Sequence, residues 1–557
     1  MGAMKKLLLA LAVLLYSPVA SAQGVVTSAD PRATEAGRQI LREGGTAADA
    51  AMAMMLALTV VEPQSSGIGG GGFLIRNDGK TGKMETIDGR EAAPAAATPQ
   101  RFLGQDGKPM PYGQAFQGGK SIGVPGNIRL MALTHKKWGK LPWKALFAPA
   151  IKLAEDGFQV TRPMSERIAG MSRIWENFPE IASQYTVDGQ APAVGATLKN
   201  PALAAILHRI ANEGPEAFYS GDNAQAIVAA ATGTRINTSD ITLADLSAYQ
   251  AKERAPVCGT YRTYRICGMA PPSSGAVTVL QILGMLSRFD LKKMGPTSPV
   301  AWHLIGEAME LAYADREKYL GDTDFVQVPL KGLIDPAYLA QRSRLISTTA
   351  TLPVYEAGTP PGAQARTAAV QDEVHGTTHF IAIDKAGDIV GMTSTVEGPF
   401  GSQLMANGYI LNNELTDFTF APEKNGAPVA NRVEGGKRPL SSMAPTIVYD
   451  SKGKPVFTVG AAGGKTIIMQ VAKALIAHLD WGMSAQDSIG QGLIYFSGRT
   501  LILEKGTSLE PMKAPLEKLG HQVVISSLGL KANAAELTTK GWVGAADPRS
   551  VGTALSE

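Results

Sequence analysis

The fold of this chain is constrained most by the segment 371–402, QDEVHGTTHFIAIDKAGDIVGMTSTVEGPFGS. Two short apolar runs, 380–383 and 389–393, are separated by the turn-forming sequence Asp-Lys-Ala-Gly-Asp. This pattern predicts a β-hairpin. The returning strand brings Thr395 and Glu397 back to the level at which the hairpin begins. The exact pairing of residues across the hairpin depends on the length of the turn. The pattern therefore predicts that these residues lie near Thr377, but not which residue each of them faces.

A threonine stands at the head of this hairpin, directly after a glycine. If the peptide bond between Gly376 and Thr377 were cut, Thr377 would carry a hydroxyl group and a free α-amine. An α-amine has a pKa of about 7.7–8.0 and can accept the hydroxyl proton at neutral pH. A threonine activated in this way is an established nucleophile. The alternative is that Thr377 and Thr378 are ordinary β-branched strand residues, and the hairpin alone does not exclude it.

Residues 1–22 have the composition of an export signal. Two lysines precede the apolar run 7–16, and Ala-Ser-Ala at 20–22 forms a small-residue cleavage site. The apolar run is too short to span a bilayer, and no longer apolar stretch follows. We therefore expect the mature chain to be a bacterial periplasmic protein without a membrane segment. The alternative is that the N-terminal segment is retained as an anchor.

Composition and charge exclude several classes of function. The net charge is only +4, and no basic run is interleaved with aromatic residues, so nucleic-acid binding is not expected. The two cysteines, Cys258 and Cys267, lie in one predicted hairpin and form either a cross-strand disulfide or two buried thiols. The seven histidines are scattered and show no zinc-site spacing, so no metal is predicted.

Two glycine-rich segments resemble nucleotide-binding loops but lack the required context. Gly67, Gly69 and Gly72 satisfy G-x-G-x-x-G, yet a predicted helix precedes them and a strand follows, which is the wrong order. The second segment, 460–466, lies between a strand and a helix, but Val459 occupies the position where a phosphate-binding loop needs glycine. The backbone N–H groups of this second loop can still hold an anion or an oxyanion.

Charged residues at two places are candidates for substrate binding. Arg90 stands at the end of a predicted strand, where a fixed guanidinium could bind a carboxylate through two hydrogen bonds. The alternative is a surface salt bridge to Asp88 or Glu91. Further along the chain, Glu414 and Asp417 place two carboxylates three residues apart.

The segment 343–374 is poor in large apolar residues and is predicted to be an exposed, flexible linker. It ends just before Gly376. A break in the chain at that point would do little harm to a hydrophobic core.

Seven short motifs are spread over nearly the whole mature chain. They are DGREAAP (88–94), PPSSG (271–275), GTTH (376–379), TSTVEG (393–398), NNELTDF (412–418), KRPLSSMAPT (437–446) and GAAGG (460–464). In this order and spacing the sequence resembles the γ-glutamyltransferase family of N-terminal-nucleophile hydrolases. The resemblance implies an α+β fold, a four-layer αββα sandwich built from two subunits cut from one precursor. The signal peptide would be 1–22, the large subunit 23–376 and the small subunit 377–557.

The resemblance also implies a role for each candidate residue. Thr377 would cut the bond to Gly376, become the nucleophile and form an acyl-enzyme, assisted by a hydrogen bond from Thr395. The oxyanion hole would consist of the N–H groups of Gly463 and Gly464. The α-carboxylate of a γ-glutamyl donor would be held by Arg90, Ser441 and Ser442. Its α-ammonium would face Glu397, Glu414 and Asp417. No cofactor or metal is implied, and the expected protein partner is the chain's own second subunit.

Two departures from the family pattern concern substrate choice. Many members have asparagine at the position of Glu397 and glutamine at that of Glu414. The loop 419–436 is intermediate between members with a full lid over the pocket and members without one. The family also has a branch of cephalosporin acylases, which remove a glutaryl group, and glutaryl is γ-glutamyl without the α-amine. The sequence therefore predicts a γ-glutamyltransferase with glutaryl-cephalosporin acylase activity, or alternatively a dedicated acylase with residual transferase activity.

Two further hypotheses belong to other classes. A periplasmic amino-acid-binding protein could use Arg90 and the acidic residues without any cleavage, but it would not need Thr377 behind Gly376 at the end of a linker. A nucleotide-dependent enzyme is disfavoured by the failed context of both glycine-rich segments.

Overall fold

The structure is a computed structural model, and it describes residues 24–369 and 376–557. The predicted signal peptide and the end of the predicted linker lie outside the described residues. The architecture is built on two large antiparallel β-sheets that face each other. Within the described residues, no helix has the length and apolar character needed to cross a membrane.

The first sheet has seven strands and contains the predicted hairpin at its centre. Residues 378–383 and 389–395 pair in antiparallel fashion, with Ser394 opposite Thr378, so the hairpin is confirmed. In spatial order the strands are Thr553–Ser556, Val25–Ser28, Thr378–Ile383, Ile389–Thr395, Gly71–Asn77, Met84–Gly89 and Lys252–Arg254.

The second sheet has six strands and ends in the cysteine hairpin. Cys258 and Cys267 are directly opposite each other in the ladder and form a disulfide, which decides between the two alternatives left by the sequence. The strands in spatial order are Gly541–Ala546, Lys531–Thr538, Pro455–Ala462, Thr446–Tyr449, Tyr264–Gly268 and Val257–Tyr261.

Alternation along the strands creates three apolar layers, because successive side chains of a strand point to opposite faces. In the central hairpin, Ile381 and Ile383 join the core between the two sheets. Phe380 and Ala382 instead join the core under the helices that cover the first sheet. The second sheet alternates in the same way, with a third core under the helices that cover it. The molecule is therefore built from four layers of secondary structure, in the order helix, sheet, sheet, helix.

The helices divide between the two outer layers. The helix Ala47–Val61 is buried along its whole length, as its apolar sequence predicts. The helices on the first sheet are Pro31–Arg42, Ala47–Val61, Asn127–Trp138, Ala148–Asp156, Arg162–Met171, Pro179–Tyr185, Pro201–Glu213, Glu216–Tyr219, Gly221–Gly233 and Leu243–Ala248. Those on the second sheet are Gly275–Leu286, Leu291–Met294, Pro299–Tyr319, Leu330–Leu333, Pro336–Ser343, Thr466–Leu479, Ala485–Gly490 and Lys513–Lys518.

Short elements complete the chain. The loop 419–436 carries a two-residue hairpin, Glu423–Lys424 with Ala427–Pro428, and Phe420 of this loop stacks on Phe102 at 4.5 Å between ring centroids. The other short elements are the helix Tyr112–Ala115, the two-stranded pairs Met405–Ala406 with Tyr409–Ile410 and Phe158–Gln159 with Thr197–Leu198, and the three-stranded sheet Ile494–Ser497, Thr500–Glu504 and Gln522–Ser526.

Candidate active site

Thr377 lies at the end of the first sheet, immediately before the strand Thr378–Ile383. Its hydroxyl group donates a hydrogen bond to the hydroxyl oxygen of Thr395, with 3.1 Å between the oxygens. The Thr395 oxygen also accepts a bond of 2.8 Å from the backbone N–H of Glu397. The hairpin therefore brings Thr395 to Thr377, as the sequence predicts, and the second bond fixes the orientation of the Thr395 hydroxyl.

The backbone around Thr377 is in a conformation that side chains rarely adopt. Thr377 has φ +77°, and Glu397, which faces it, has φ +75°. For a β-branched residue this left-handed conformation is a true outlier, and such strain costs on the order of 1–3 kcal/mol. The N–H of Thr377 is held by the carbonyl oxygen of Ser65 at 3.1 Å. Residues held in this way cluster at reactive sites.

Arg90 is fully buried and faces the same place. Its two terminal nitrogens donate to the carboxylates of Glu414 and Asp417, and further bonds go to the carbonyl oxygens of Pro439 (3.2 Å) and Leu440 (2.8 Å). Burial by itself would lower the pKa of Arg90, but the two carboxylates outweigh burial and raise it. The alternative of a surface salt bridge to Asp88 or Glu91 is therefore wrong, because the guanidinium is buried and its partners lie more than 300 residues away in sequence.

The acidic residues form one buried cluster. Burial raises the pKa of Glu414 well above its ordinary value, although Arg90 opposes this, and burial raises the pKa of Glu91 to about 8. Glu397 accepts hydrogen bonds from the Tyr112 hydroxyl at 2.9 Å and from the side-chain amide of Asn413. Burial therefore favours the neutral, protonated forms of Glu91 and Glu414.

Ser441 and Ser442 are positioned by the motif at 271–275. The backbone N–H and the hydroxyl of Ser274 both donate to the carbonyl oxygen of Ser441, each at 2.7 Å. The buried Arg316 donates to the hydroxyls of Ser442 and Ser274, each at 2.9 Å. The two serines are therefore held by an arginine and a serine that lie in other parts of the chain.

Gly463 and Gly464 lie between the strand Pro455–Ala462 and the helix Thr466–Leu479. Their φ angles are +131° and +57°, which only glycine adopts easily. Among residues 24–369 and 376–557, no acceptor is within hydrogen-bond distance of their N–H groups. N–H groups presented by such a turn at a helix N-terminus stabilise negative charge, so the loop can act as an oxyanion hole.

A small polar cavity brings these groups together. It is lined by Arg90, Thr377, Thr395, Glu397, Glu414, Asp417, Ser441, Ser442, Met443, Gly464 and Ile467. Gly463 lines a neighbouring cavity of about 590 Å³, together with Gly376 and Ser65. The structure thus places every candidate residue at one of two cavities on either side of the Gly376–Thr377 bond. A hydroxyl, a guanidinium, carboxylates and N–H donors suit nucleophilic attack on the amide of a charged donor.

Sequence reasoning overlooked four residues of this region. Glu91 and Asn413 are neighbours of predicted site residues, and their position inside the quoted motifs could have suggested them. Tyr112 and Arg316 lie far from those motifs in sequence, and no sequence signal indicated them. His379, two residues after Thr377, is buried and bonds to the Thr393 hydroxyl at 2.8 Å. Burial lowers the pKa of His379 to about 3, so it is neutral at physiological pH.

Comparisons with known proteins show the family to which the sequence is similar. Residues 33–556 match the family model described as gamma-glutamyltranspeptidase. The glutathione hydrolase proenzyme of Bacillus subtilis (strain 168) is 38% identical over 90% of this chain and 85% of its own. The acylase ACY 1 proenzyme of Pseudomonas sp. (strain V22) is 34% identical over 91% of this chain and 88% of its own.

A solved structure supports the fold. The cephalosporin acylase from Bacillus halodurans superposes with a TM-score of 0.84 at 24% identity, covering 96% of both chains. At this level of identity the likeness concerns the fold alone.

Proposed function

Because the chain belongs to the gamma-glutamyltranspeptidase family, we propose that it is an exported enzyme that cuts its own chain before Thr377 and then transfers acyl groups through that residue. The donors are γ-glutamyl compounds such as glutathione, and the acceptors are water, amino acids or peptides. The observation that carries the proposal is the strained Thr377, whose hydroxyl is hydrogen-bonded to Thr395 beside the cavity of Arg90. Residues 1–22 suggest that the enzyme acts in the periplasm.

Self-cleavage is the first step. The hydroxyl oxygen of Thr377 attacks the carbonyl carbon of Gly376, a C–O bond forms, and the peptide C–N bond breaks. The hydroxyl proton moves to the Thr377 nitrogen, and water then hydrolyses the ester. The products are a carboxylate at Gly376 and a Thr377 with a free α-amine. Strain at Thr377 and Glu397 supports this step, because the strain at Thr377 can be released when the bond breaks.

The two resulting chains would remain together as a heterodimer. The first sheet alternates strands from both sides of the cut, since Val25–Ser28 pairs with Thr378–Ile383 and Gly71–Asn77 pairs with Ile389–Thr395. Neither chain could complete this sheet alone. The processed enzyme is therefore an αββα sandwich built from two subunits, 23–376 and 377–557.

Acyl transfer uses the new N-terminus. The α-amine of Thr377 takes the hydroxyl proton while the oxygen attacks the γ-carbonyl carbon of the donor. The N–H groups of Gly463 and Gly464 hold the oxygen that becomes negative, and removal of one such donor typically costs roughly 10²–10³ in rate. The leaving amine takes the proton, and water or an acceptor amine then attacks the ester.

Donor binding involves an exchange of ion pairs. Arg90, Ser441 and Ser442 bind the α-carboxylate of the donor. Once Arg90 is engaged, Glu414 and Asp417 lose their partner, and the α-ammonium of a γ-glutamyl donor replaces it. Glu397 completes the site for this ammonium. The α-carboxylate and α-ammonium of the donor cancel each other, so the net buried charge is the same before and after binding.

A second activity, removal of glutaryl groups from cephalosporins, is supported by a different observation. A glutaryl donor engages Arg90 but brings no ammonium to replace it. Because burial raises the pKa values of Glu91 and Glu414, these two carboxyl groups favour their neutral forms, and the site needs no ammonium to balance them. The acidic residues therefore do not exclude a glutaryl donor.

Intact mass under denaturing conditions tests the proposal. The wild-type protein should give two chains of roughly 37 and 19 kDa at the mean residue mass of this chain, the smaller beginning at Thr377. The variant Thr377→Ala should give one folded, inactive chain. Thr378→Ala, next in sequence, is the matched control and should be cut. A cut Thr377→Ala protein would disprove self-cleavage by this residue.

Steady-state kinetics test the donor site. Arg90→Lys keeps the charge but loses the two-pronged geometry. We expect a strong increase in KM for γ-glutamyl donors with cleavage of the chain retained. An unchanged KM would remove Arg90 from the binding site.

A further inference from the structure

Two histidines and a glutamate come together at the other side of the second sheet, away from the candidate active site. His303 and Glu307 are four residues apart on the helix Pro299–Tyr319 and therefore lie on one face. His521 precedes the strand Gln522–Ser526 and packs against them. One ligand atom from each of the three residues lies within 4.8 Å of the other two. All three side chains are buried.

We propose that His303, Glu307 and His521 form a binding site for a divalent metal ion of the Zn²⁺ class. Two imidazoles and one carboxylate are a ligand set that zinc accepts, with a fourth position left for water. No sequence pattern predicts this site, because His521 is more than 200 residues from the other two and the three residues have no short metal-binding spacing. The site does not depend on the function proposed above.

Hydrogen bonds from surrounding residues orient the side chains of the cluster. The Nε2 of His303 is 2.9 Å from the carbonyl oxygen of Ser347, so it carries the proton and leaves the lone pair on Nδ1. That Nδ1 lies 2.8 Å from the Nε2 of His521. Glu307 is held by the backbone N–H of Leu352 at 3.0 Å and by the hydroxyl of Tyr355. Such outer partners fix the tautomer and orientation of metal ligands.

A metal ion binds the lone pair of a neutral imidazole, so the proton between the two rings must move when the ion binds. Without metal, His521 donates its Nε2–H to His303. On metal binding that proton moves to Nδ1 of His521, and the two nitrogens separate by about 0.5 Å to reach tetrahedral spacing at zinc distances.

A metal would also balance buried negative charge. Within the described residues the Glu307 carboxylate is held by the Leu352 N–H and the Tyr355 hydroxyl, and no lysine or arginine forms an ion pair with it. A divalent cation beside Glu307 would supply the missing positive charge. Tyr355, which donates to Glu307, lines a cavity of about 880 Å³ next to the cluster.

Metal content and thermal stability test the proposal. Chelator-treated full-length protein is incubated with Zn²⁺ and freed of unbound metal by gel filtration. We expect one zinc per chain and an increase in Tm. Glu307→Gln and His521→Asn should each lower zinc affinity by roughly 100-fold or more, and Tyr355→Phe should lower it about 10-fold. His478→Asn is the matched control and should bind zinc normally.

A measurement on the wild-type protein covers the case in which a ligand variant fails to fold. Co²⁺ in place of Zn²⁺ should give the intense visible absorption of a four-coordinate site, and Zn²⁺ should displace it. The uncut Thr377→Ala protein should bind one zinc as well, which separates this site from chain cleavage. Less than stoichiometric zinc, a six-coordinate Co²⁺ spectrum, or unchanged zinc affinity in Glu307→Gln and His521→Asn would each overturn the proposal.

Discussion

A methyl group at Gly376 is the perturbation that most sharply tests how the chain prepares its own cleavage. A Cβ atom at this position would lie 1.7 Å from the carbonyl oxygen of Glu397. The neighbour is backbone and cannot rotate away. Glu397 has a left-handed backbone conformation, and its N–H donates a hydrogen bond to the hydroxyl oxygen of Thr395. In the variant Gly376→Ala the backbone at residue 376 and the backbone at Glu397 must therefore move apart.

The size of that movement sets the expected loss of rate. Ordinary van der Waals contact begins at 3.4 Å, so the two segments must separate by about 1.7 Å in total. A misplacement of about 1 Å between reacting groups can cost a factor of about 100 in rate. The displaced atoms are next to the carbonyl carbon that the Thr377 hydroxyl attacks. We therefore expect Gly376→Ala to slow cleavage at least about 100-fold while Thr377 itself is intact.

Cleavage can be followed by intact mass after cell-free synthesis, starting from the uncut chain. The matched control is Gly170→Ala, because Gly170 lies in a helix and a Cβ there meets nothing within 4 Å. The control should be cut at the wild-type rate. Circular dichroism and the unfolding midpoint establish whether the uncut Gly376→Ala protein is folded. A folded Gly376→Ala protein cut at the wild-type rate would refute the claim that this contact positions the bond.

Three further predictions concern donor choice, the disulfide and acid stability. Glu397→Gln and Asp417→Asn should reduce kcat/KM more for γ-glutamyl than for glutaryl amides, and equal losses would contradict their role toward an ammonium. Reduction of the bond between Cys258 and Cys267 should lower the free energy of unfolding by about 2–3 kcal/mol for a loop of this length, as measured in urea; the double serine variant should then be insensitive to reductant. The buried His379 has a pKa of about 3, against about 6.5 when unfolded, so the unfolded chain takes up a proton that the folded chain does not. Stability should fall below pH 6.5 by up to about 1.4 kcal/mol per pH unit, and His379→Gln should remove that share of the slope; an unchanged slope would show that the histidine is not buried in neutral form.

The local parts of the fold were predictable from sequence because their signals are local. The hairpin follows from period-two alternation around a turn, and its pairing places Thr395 beside Thr377. The glycines at 67–72 lie between a helix and the strand that follows it, in the order that the sequence predicts. The disulfide needed the structure, since only the register puts Cys258 directly opposite Cys267.

The charge network was less predictable because it joins distant parts of the chain. Sequence reasoning assigned Arg90 to the donor carboxylate and the acidic residues to the ammonium, as separate groups. The structure pairs Arg90 with Glu414 and Asp417 across more than 300 residues. No periodicity or spacing encodes such a pairing. The cluster of His303, Glu307 and His521 could not be predicted from the sequence for the same reason, because it also joins distant parts of the chain.

This pairing changes the argument about which donor the site prefers. Carboxylates without a counter-charge would demand an ammonium, but Glu414 and Asp417 already have Arg90 as their counter-charge. The question is what happens when the carboxylate of a donor takes Arg90 from them. A γ-glutamyl donor supplies its own ammonium and leaves the buried charge unchanged. A glutaryl donor leaves one negative charge more, which the site tolerates best while Glu91 and Glu414 are neutral, the form that burial favours by raising their pKa values. We therefore expect binding of a glutaryl donor to weaken as the pH rises and these carboxyl groups ionise, and binding of a γ-glutamyl donor to depend less on pH.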